Sequence, residues 1–314
     1  MPARIVPYLR GLIQGHKITA TLLRDQFGFS HDALTRTLQT RFPWRQIFLL
    51  AIQTLFSPLS GGYLIIDDTV IPKPYSKKMT GASYVYSSLL ETTVFGYNIV
   101  FLAWTNGTIT LPISWRWYKK DGPSKIKLAQ SLIWEARVVW KLSPDLVLFD
   151  SFYAADPLLD KINSYGWKFV CQIKGSRIVN AAPIREDLTE DGDSLTGLVS
   201  FKVKGKIVRH DKKFFCTDRL TLSSEEILSL YGHRWEIEEV FRFAKDQLHL
   251  EECQARSKIS QETHLAGTML AYTMIQKQKQ ETPSQTLYAI KKDWLLNRKL
   301  GNNRINHYAK ILGA

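Results

Sequence analysis

Tyr231, Arg234, Glu238 and Lys245 lie at offsets of zero, three, seven and fourteen residues. On an α-helix, at about 100° per residue, they fall within an arc of roughly 60°. One helical stripe would then carry a phenol, two cations and a carboxylate. Ile237, Val240, Phe241, Ala244 and Leu248 form a neighbouring apolar stripe that would bury the helix against a core. Glu238 would be held rigidly and would face something negatively charged. Upstream, two apolar runs end in aspartate: Tyr63-Leu-Ile-Ile-Asp67-Asp68-Thr69 and Asp145-Leu-Val-Leu-Phe-Asp150-Ser151. Both read as buried strands that deliver a carboxylate at their C-terminal end, where α/β sheets usually place their sites.

Two strand aspartates and one helix glutamate can converge on metal. Such a set of oxygens suits two Mg²⁺ ions, with Mn²⁺ as a substitute. A metal pair roughly 4 Å apart can activate an attacking water or hydroxyl and stabilise the oxygen leaving phosphorus. The corresponding chemistry is in-line phosphodiester cleavage or transfer. A lone strand-end Asp is more often a cap or an ion-pair partner; the weight here comes from three acids occurring in order. Asp67 and Asp68 are adjacent, so on a strand only one of them can enter the site. Glu236 and Glu239 lie about 160° and 100° around the helix from Glu238 and are expected to be solvated or paired at the surface. His233 reads as a surface or packing residue. Lys73, Lys77 and Lys78, directly after the first acid, are candidate DNA contacts.

The elements that must hold these side chains are legible in outline. Residues 1–60 have helical periodicity and few strand signals, which predicts a small N-terminal helical domain. Within it, residues 19–38 read as two short helices around Gly28, with Ser30 capping the second. A DNA-binding helix-turn-helix and ordinary packed helices both fit that pattern. From Tyr63 the order is three strands, helix, strand, helix, strand, helix, which is that of an RNase H-like α/β fold, a mixed sheet with flanking helices. Residues 61–173 form its first part. Residues 174–222, punctuated by Gly, Asp and Pro, read as a β-rich insertion. Residues 223–280 complete the catalytic domain with the glutamate helix, and 281–314 form a basic C-terminal segment.

The chain has 314 residues, 45% of them hydrophobic, enough for a sizeable core. Its 42 Lys and Arg against 29 Asp and Glu give +13, accompanied by nine Trp and thirteen Tyr. Phosphates attract such a surface and aromatics stack on bases, so a nucleic-acid partner is favoured. Cys171, Cys216 and Cys253 are too few and scattered for a disulfide framework, which fits a reducing cytoplasm. The start lacks a secretory signal, and no apolar run is long enough to span a bilayer, so no membrane role is expected.

The segment Tyr231-Gly-His-Arg234-Trp-Glu-Ile-Glu238-Glu-Val-Phe-Arg-Phe-Ala-Lys245 reads Tyr-x2-Arg-x3-Glu-x6-Lys. That pattern resembles the signature of bacterial DDE transposases, in the group named after insertion sequence four. In that family a Thr or Ser typically stands two residues after the first acid, as Thr69 does after Asp67, which selects Asp67 over Asp68. The second acid is followed there by an aromatic, as in Phe149-Asp150-Ser-Phe152-Tyr153. The resemblance spans residues 60–280. It implies cut-and-paste transposition of an insertion sequence through a hairpin intermediate, with Asp67, Asp150 and Glu238 as catalytic and metal-holding acids. Tyr231, Arg234 and Lys245 would contact phosphates near the element's 5′ end. The implied partners are double-stranded DNA, as terminal inverted repeats and target, and a second copy of the chain in a homodimer. The implied setting is a bacterial cytoplasm, at the nucleoid. Two alternatives are a catalytically silent DNA-binding regulator of transposition and a general RNase H-like nuclease.

Overall fold

The computed structural model describes residues 2–15, 19–56, 58–76, 78–88 and 90–313. A short 3-10 turn, Ala3–Ile5, leads into four helices: α1 (Val6–Gln14), α2 (Ala20–Phe27), α3 (His31–Gln39) and α4 (Trp44–Phe56). Helix α2 ends on Gly28 in the left-handed conformation, and the Ser30 hydroxyl accepts from the Ala33 N–H to start α3, as the sequence pattern predicts.

Three long antiparallel strands and one short one come next. They are β1 (Tyr63–Pro72), then β3 (Thr92–Thr105) preceded by a short β2 (Ser83–Ser87), then β4 (Thr110–Tyr118). Helix α5 (Lys125–Val138) returns the chain to β5 (Leu146–Phe149), and α6 (Asp156–Ser164) returns it to β6 (Phe169–Ile173). Strand β1 pairs antiparallel with β3 and parallel with β5, and β5 pairs parallel with β6. The resulting order, β4-β3-β1-β5-β6, is the RNase H-like core. Leu146 to Phe149 are buried without alternation, as befits a strand covered on both faces.

Residues 174–222 contain the hairpin β7 (Ile178–Val179) and β8 (Ala182–Pro183), a single turn of helix α7 (Ile184–Asp187), and the strands β9 (Ser194–Leu198), β10 (Lys204–His210) and β11 (Lys213–Thr217). These last three do not stand apart from the core. Strand β11 pairs antiparallel with β6, and β10 and β9 follow outward, so the segment lengthens the main sheet. Without them β6 would present unpaired backbone along a hydrophobic edge.

The chain continues through α8 (Ser224–Gly232), α9 (Trp235–Leu248), α10 (Lys258–Glu281), α11 (Leu287–Leu296) and α12 (Arg298–Ile311). Helix α10 is buried nearly all round, because α1, α3 and α4 cover part of it and α9, α11 and β4 the rest. The N-terminal helices therefore share one hydrophobic core with the C-terminal ones. The basic C-terminal segment is itself helical, with α1 packed on both α11 and α12. Among the described residues, no helix is long and apolar enough to cross a membrane.

Candidate active site

Strand β1 outruns its parallel neighbour. The last paired position of β1 and β5 is Ile66 opposite Phe149, so Asp67 and Asp150 are the next residue of each strand. Asp67 is thus not the end of β1, contrary to the expectation that it closes the strand. It lies mid-strand, opposite Phe101 of β3, at the point where β5 stops. A carboxylate there has a neighbouring strand on one side only, which opens the other side to a site.

The third acid comes by a different route. Tyr231, Arg234, Glu238 and Lys245 do not share one helix, as their periodicity predicts. Tyr231 is in the last turn of α8, Arg234 is the N-cap of α9, and Glu238 and Lys245 are within α9. The junction is tightened by i→i+3 bonds, Arg234 N–H to Tyr231 O at 2.9 Å and Glu236 N–H to His233 O at 3.2 Å. Gly232 weakens the helix there by about 1 kcal/mol, and Glu236 anchors the start of α9. Its carboxylate accepts from the hydroxyls of Thr105 and Thr110, the latter at 2.6 Å, and lies 2.8 Å from His233 Nδ1. Glu236 is therefore a half-buried anchor on the β3–β4 hairpin, not the solvated or surface-paired residue expected. Glu239 is paired at the surface with Arg242 at 2.7 Å. His233 packs its ring on Tyr63, 4.8 Å between centroids.

Arg234 draws the acids together. Its Nη1 donates to Asp67 Oδ2 at 2.7 Å and its Nη2 donates to Glu238 Oε1, while Nε is buried without a partner. Tyr231 flanks this cation, 5.7 Å from guanidinium to ring, and packs edge-on against Phe215. Burial pushes the Tyr231 phenol up to about 12. Asp150 Oδ1 accepts from the N–H groups of Phe152 (3.0 Å) and Tyr153 (3.3 Å).

The electrostatics are those of crowded acids. Burial raises the Asp67 carboxyl to about 7; Arg234 opposes that rise, and Asp150 and Asp68 add to it. Asp150 is also shifted upward, by burial first, against the pull of its backbone N–H donors and Arg234. Asp68 is engaged elsewhere. Its carboxylate takes Asn98 Nδ2, Lys125 Nζ and the Tyr153 hydroxyl, each at 2.7 Å. Asp67 thus faces α9, and Asp68 faces the start of α5.

The basic residues fall into different places. Lys245 reaches the Val70 carbonyl at 3.0 Å and Glu251 at 3.0 Å, further along β1 than Asp67. Lys73 is turned inward, with its Nζ donating to the carbonyls of Glu251 (2.6 Å) and Cys253 (2.9 Å) and its pKa lowered by burial. Lys78 is exposed, whereas Lys77 lies outside the described residues. His264 is a core residue, bonded to Tyr8 at 2.7 Å and shifted down to about 3 by burial. Trp115 packs edge-on against Phe48, in keeping with a place at the edge of the core.

Three carboxylates offer the oxygen donors that a hard divalent cation prefers. In this arrangement the guanidinium of Arg234 supplies the positive charge between Asp67 and Glu238. Among the described residues, no three acidic, His or Cys side chains are gathered closely enough to share one ion. The donor set is of the kind a hard divalent cation takes, and Arg234 is the cation that pairs with two of its members here. Sequence reasoning missed Glu236 as an anchor and the group formed by Asp68, Asn98, Lys125 and Tyr153. Those partners are 30, 57 and 85 residues from Asp68, and no periodic pattern connects them.

The model of the transposase DDE domain matches residues 61–274, a span that contains Asp67, Asp150 and Glu238. Among solved structures, the piggyBac transposase in a synaptic complex with hairpin DNA is similar over 99% of this chain and 73% of its own. The TM-score is 0.60 at 11% identity, a likeness of fold. The Mos1 strand transfer complex overlaps less: 17% identity over 54% of this chain and 58% of that one, TM-score 0.22. Endonuclease V of Ciona intestinalis, bound to inosine-containing DNA, overlaps at 11% identity over 63% and 96%, TM-score 0.28. Among curated proteins none matches this sequence.

Proposed function

The chain belongs to the transposase DDE domain family, and on that premise we propose that it is a metal-dependent DNA transposase acting by cut and paste. Asp67, Asp150 and Glu238 are the acids of its site, and the observation that carries this is how the fold places them. The two aspartates emerge side by side where β5 ends, and Arg234 ties Asp67 to Glu238 from a third element.

The acids would hold two Mg²⁺ ions, or Mn²⁺ in their place, which when bound activate the attacking oxygen and stabilise the leaving one at phosphorus. The protein's own residues do the rest. The N–H groups of Phe152 and Tyr153 hold one oxygen of Asp150. Arg234 compensates Asp67 and Glu238 in the absence of DNA. With DNA and metal present it would exchange carboxylates for a phosphate, for which its planar fork is suited. Tyr231 restrains that guanidinium from one side, and Lys245 offers a point charge further along the strand. Lys78 extends the phosphate contacts. The freed 3′-hydroxyl would attack the opposite strand to give a hairpin, opened before strand transfer. A homodimer would hold the paired terminal repeats.

A second reading, a catalytically silent DNA-binding regulator, is favoured by one observation: Arg234 occupies the space between two of the acids. The deciding experiment is cleavage of a labelled duplex carrying the element's terminal repeat, in Mg²⁺ and in EDTA. Nicking and hairpin formation by the wild type alone, absent in EDTA and in Glu238→Ala, is the outcome expected. Tight binding with no cut by either protein would establish the regulator instead.

A further inference from the structure

We infer that Asp68 is a positioning residue for Asp150, acting through the hydroxyl of Tyr153 and the ammonium of Lys125. This rests on the reading of Asp150 as a reacting acid.

Asp68 follows Asp67 on β1 and projects to the opposite side. A half-buried carboxylate facing a second helix is costly unless it is paired and fully hydrogen-bonded. Here Oδ2 takes both Lys125 Nζ and Asn98 Nδ2, and Oδ1 takes the Tyr153 hydroxyl. Tyr153 is completely buried, so its hydroxyl must find a partner inside the protein. The same residue's N–H donates to Asp150 Oδ1, as does that of Phe152. Lys125 closes the group by lying 5.2 Å over the Phe152 ring.

Both N–H donors on Asp150 therefore belong to residues whose side chains are gripped from β1 and α5. The consequence is mechanical. The Tyr153–Asp68 bond restrains the turn after β5, which carries the N–H donors that orient Asp150. Strand pairing alone does not do this, because it stops at Phe149. Partners behind a metal-holding carboxylate commonly contribute about 10–100-fold in metal affinity or activity.

Tyr153→Phe removes the hydroxyl and keeps the ring. In the full chain, two readouts are compared with wild type: amide hydrogen exchange of the peptide containing Phe152 and Tyr153, and Mn²⁺ binding followed by its electron paramagnetic resonance signal. We expect exchange to accelerate about tenfold in that peptide alone, the equivalent of one lost hydrogen bond. The Mn²⁺ concentration for half-saturation should rise about 10–100-fold, with binding to end duplex in EDTA unchanged. Lys125→Met, which removes a partly exposed side chain, should give the same pattern in smaller measure and serves if Tyr153→Phe does not fold. Unchanged local exchange and unchanged Mn²⁺ saturation in a folded variant would overturn the inference. A wild type that neither takes up Mn²⁺ nor nicks DNA would instead remove the acidic-site reading, while the exchange comparison still decides whether Asp68 holds the turn.

Discussion

Arg234 Nη1 lies 2.7 Å from Asp67 Oδ2, across 167 residues of sequence, and both side chains are only about one-sixth exposed, 15% and 16%. Breaking a largely buried ion pair by removing one partner costs about 3 kcal/mol or more, because the other charge is left stranded. Arg234→Ala should therefore lower the unfolding free energy by about that amount in urea titration. Adding Asp67→Asn should recover part of the loss, since of the two carboxylates that Arg234 compensates only Glu238, the more exposed, then lacks its cation. A single variant as stable as wild type would show that the pair contributes little.

The raised Asp67 carboxyl gives a pH dependence of definite sign. Between the ordinary carboxylate range and about 7 the folded state keeps a proton that the unfolded state has released. Stability must then fall as pH rises through that window and stay at the lower level above it. Asp150, raised by its own burial, adds in the same direction. In EDTA, the decrease between about pH 5 and pH 8 should be on the order of 3 kcal/mol and should shrink in Asp67→Asn. Equal slopes for the two proteins would place the titration elsewhere.

Glu135, on α5, is 1% exposed and takes Arg45 of α4 at 2.9 Å and Arg116 of β4. One carboxylate thus joins the N-terminal helices to the sheet. Glu135→Leu leaves two guanidinium groups facing each other and should destabilise the chain by about 3–5 kcal/mol. The measurement is the denaturant midpoint of the full chain; a change below about 1 kcal/mol would mean that water replaces the carboxylate readily.

Lys73 and Lys78 should separate in DNA binding although both follow the first acid. Each phosphate contact contributes about 0.9 to the slope of log affinity against log salt. Lys78→Ala should reduce that slope by about one contact. Lys73→Met should leave the slope alone and lower the melting temperature, because the Lys73 ammonium ties down the carbonyls of Glu251 and Cys253. A reduced slope in a normally stable Lys73→Met protein would mean that Lys73 turns outward on DNA.

How much was legible in the sequence depended on the range of the interaction. The apolar runs ending at Asp67 and Asp150, the helix carrying Glu238 and the Ser30 cap were all readable, because each is set by burial periodicity or by bonds within a few residues. The order of these elements was enough to name an RNase H-like sheet. Local patterns misjudged the break at His233, since a helix interrupted by two residues that keep right-handed backbone has almost the same periodicity as a continuous one. They also misjudged Glu236, whose partners Thr105 and Thr110 come from a distant hairpin. Tertiary structure alone decided which lysines face solvent, that residues 194–217 extend the main sheet, and that Asp68 holds Tyr153. The reason is physical: type and spacing record what a residue meets along its own strand or helix, whereas charge pairing and edge pairing arise only when separate elements are packed together.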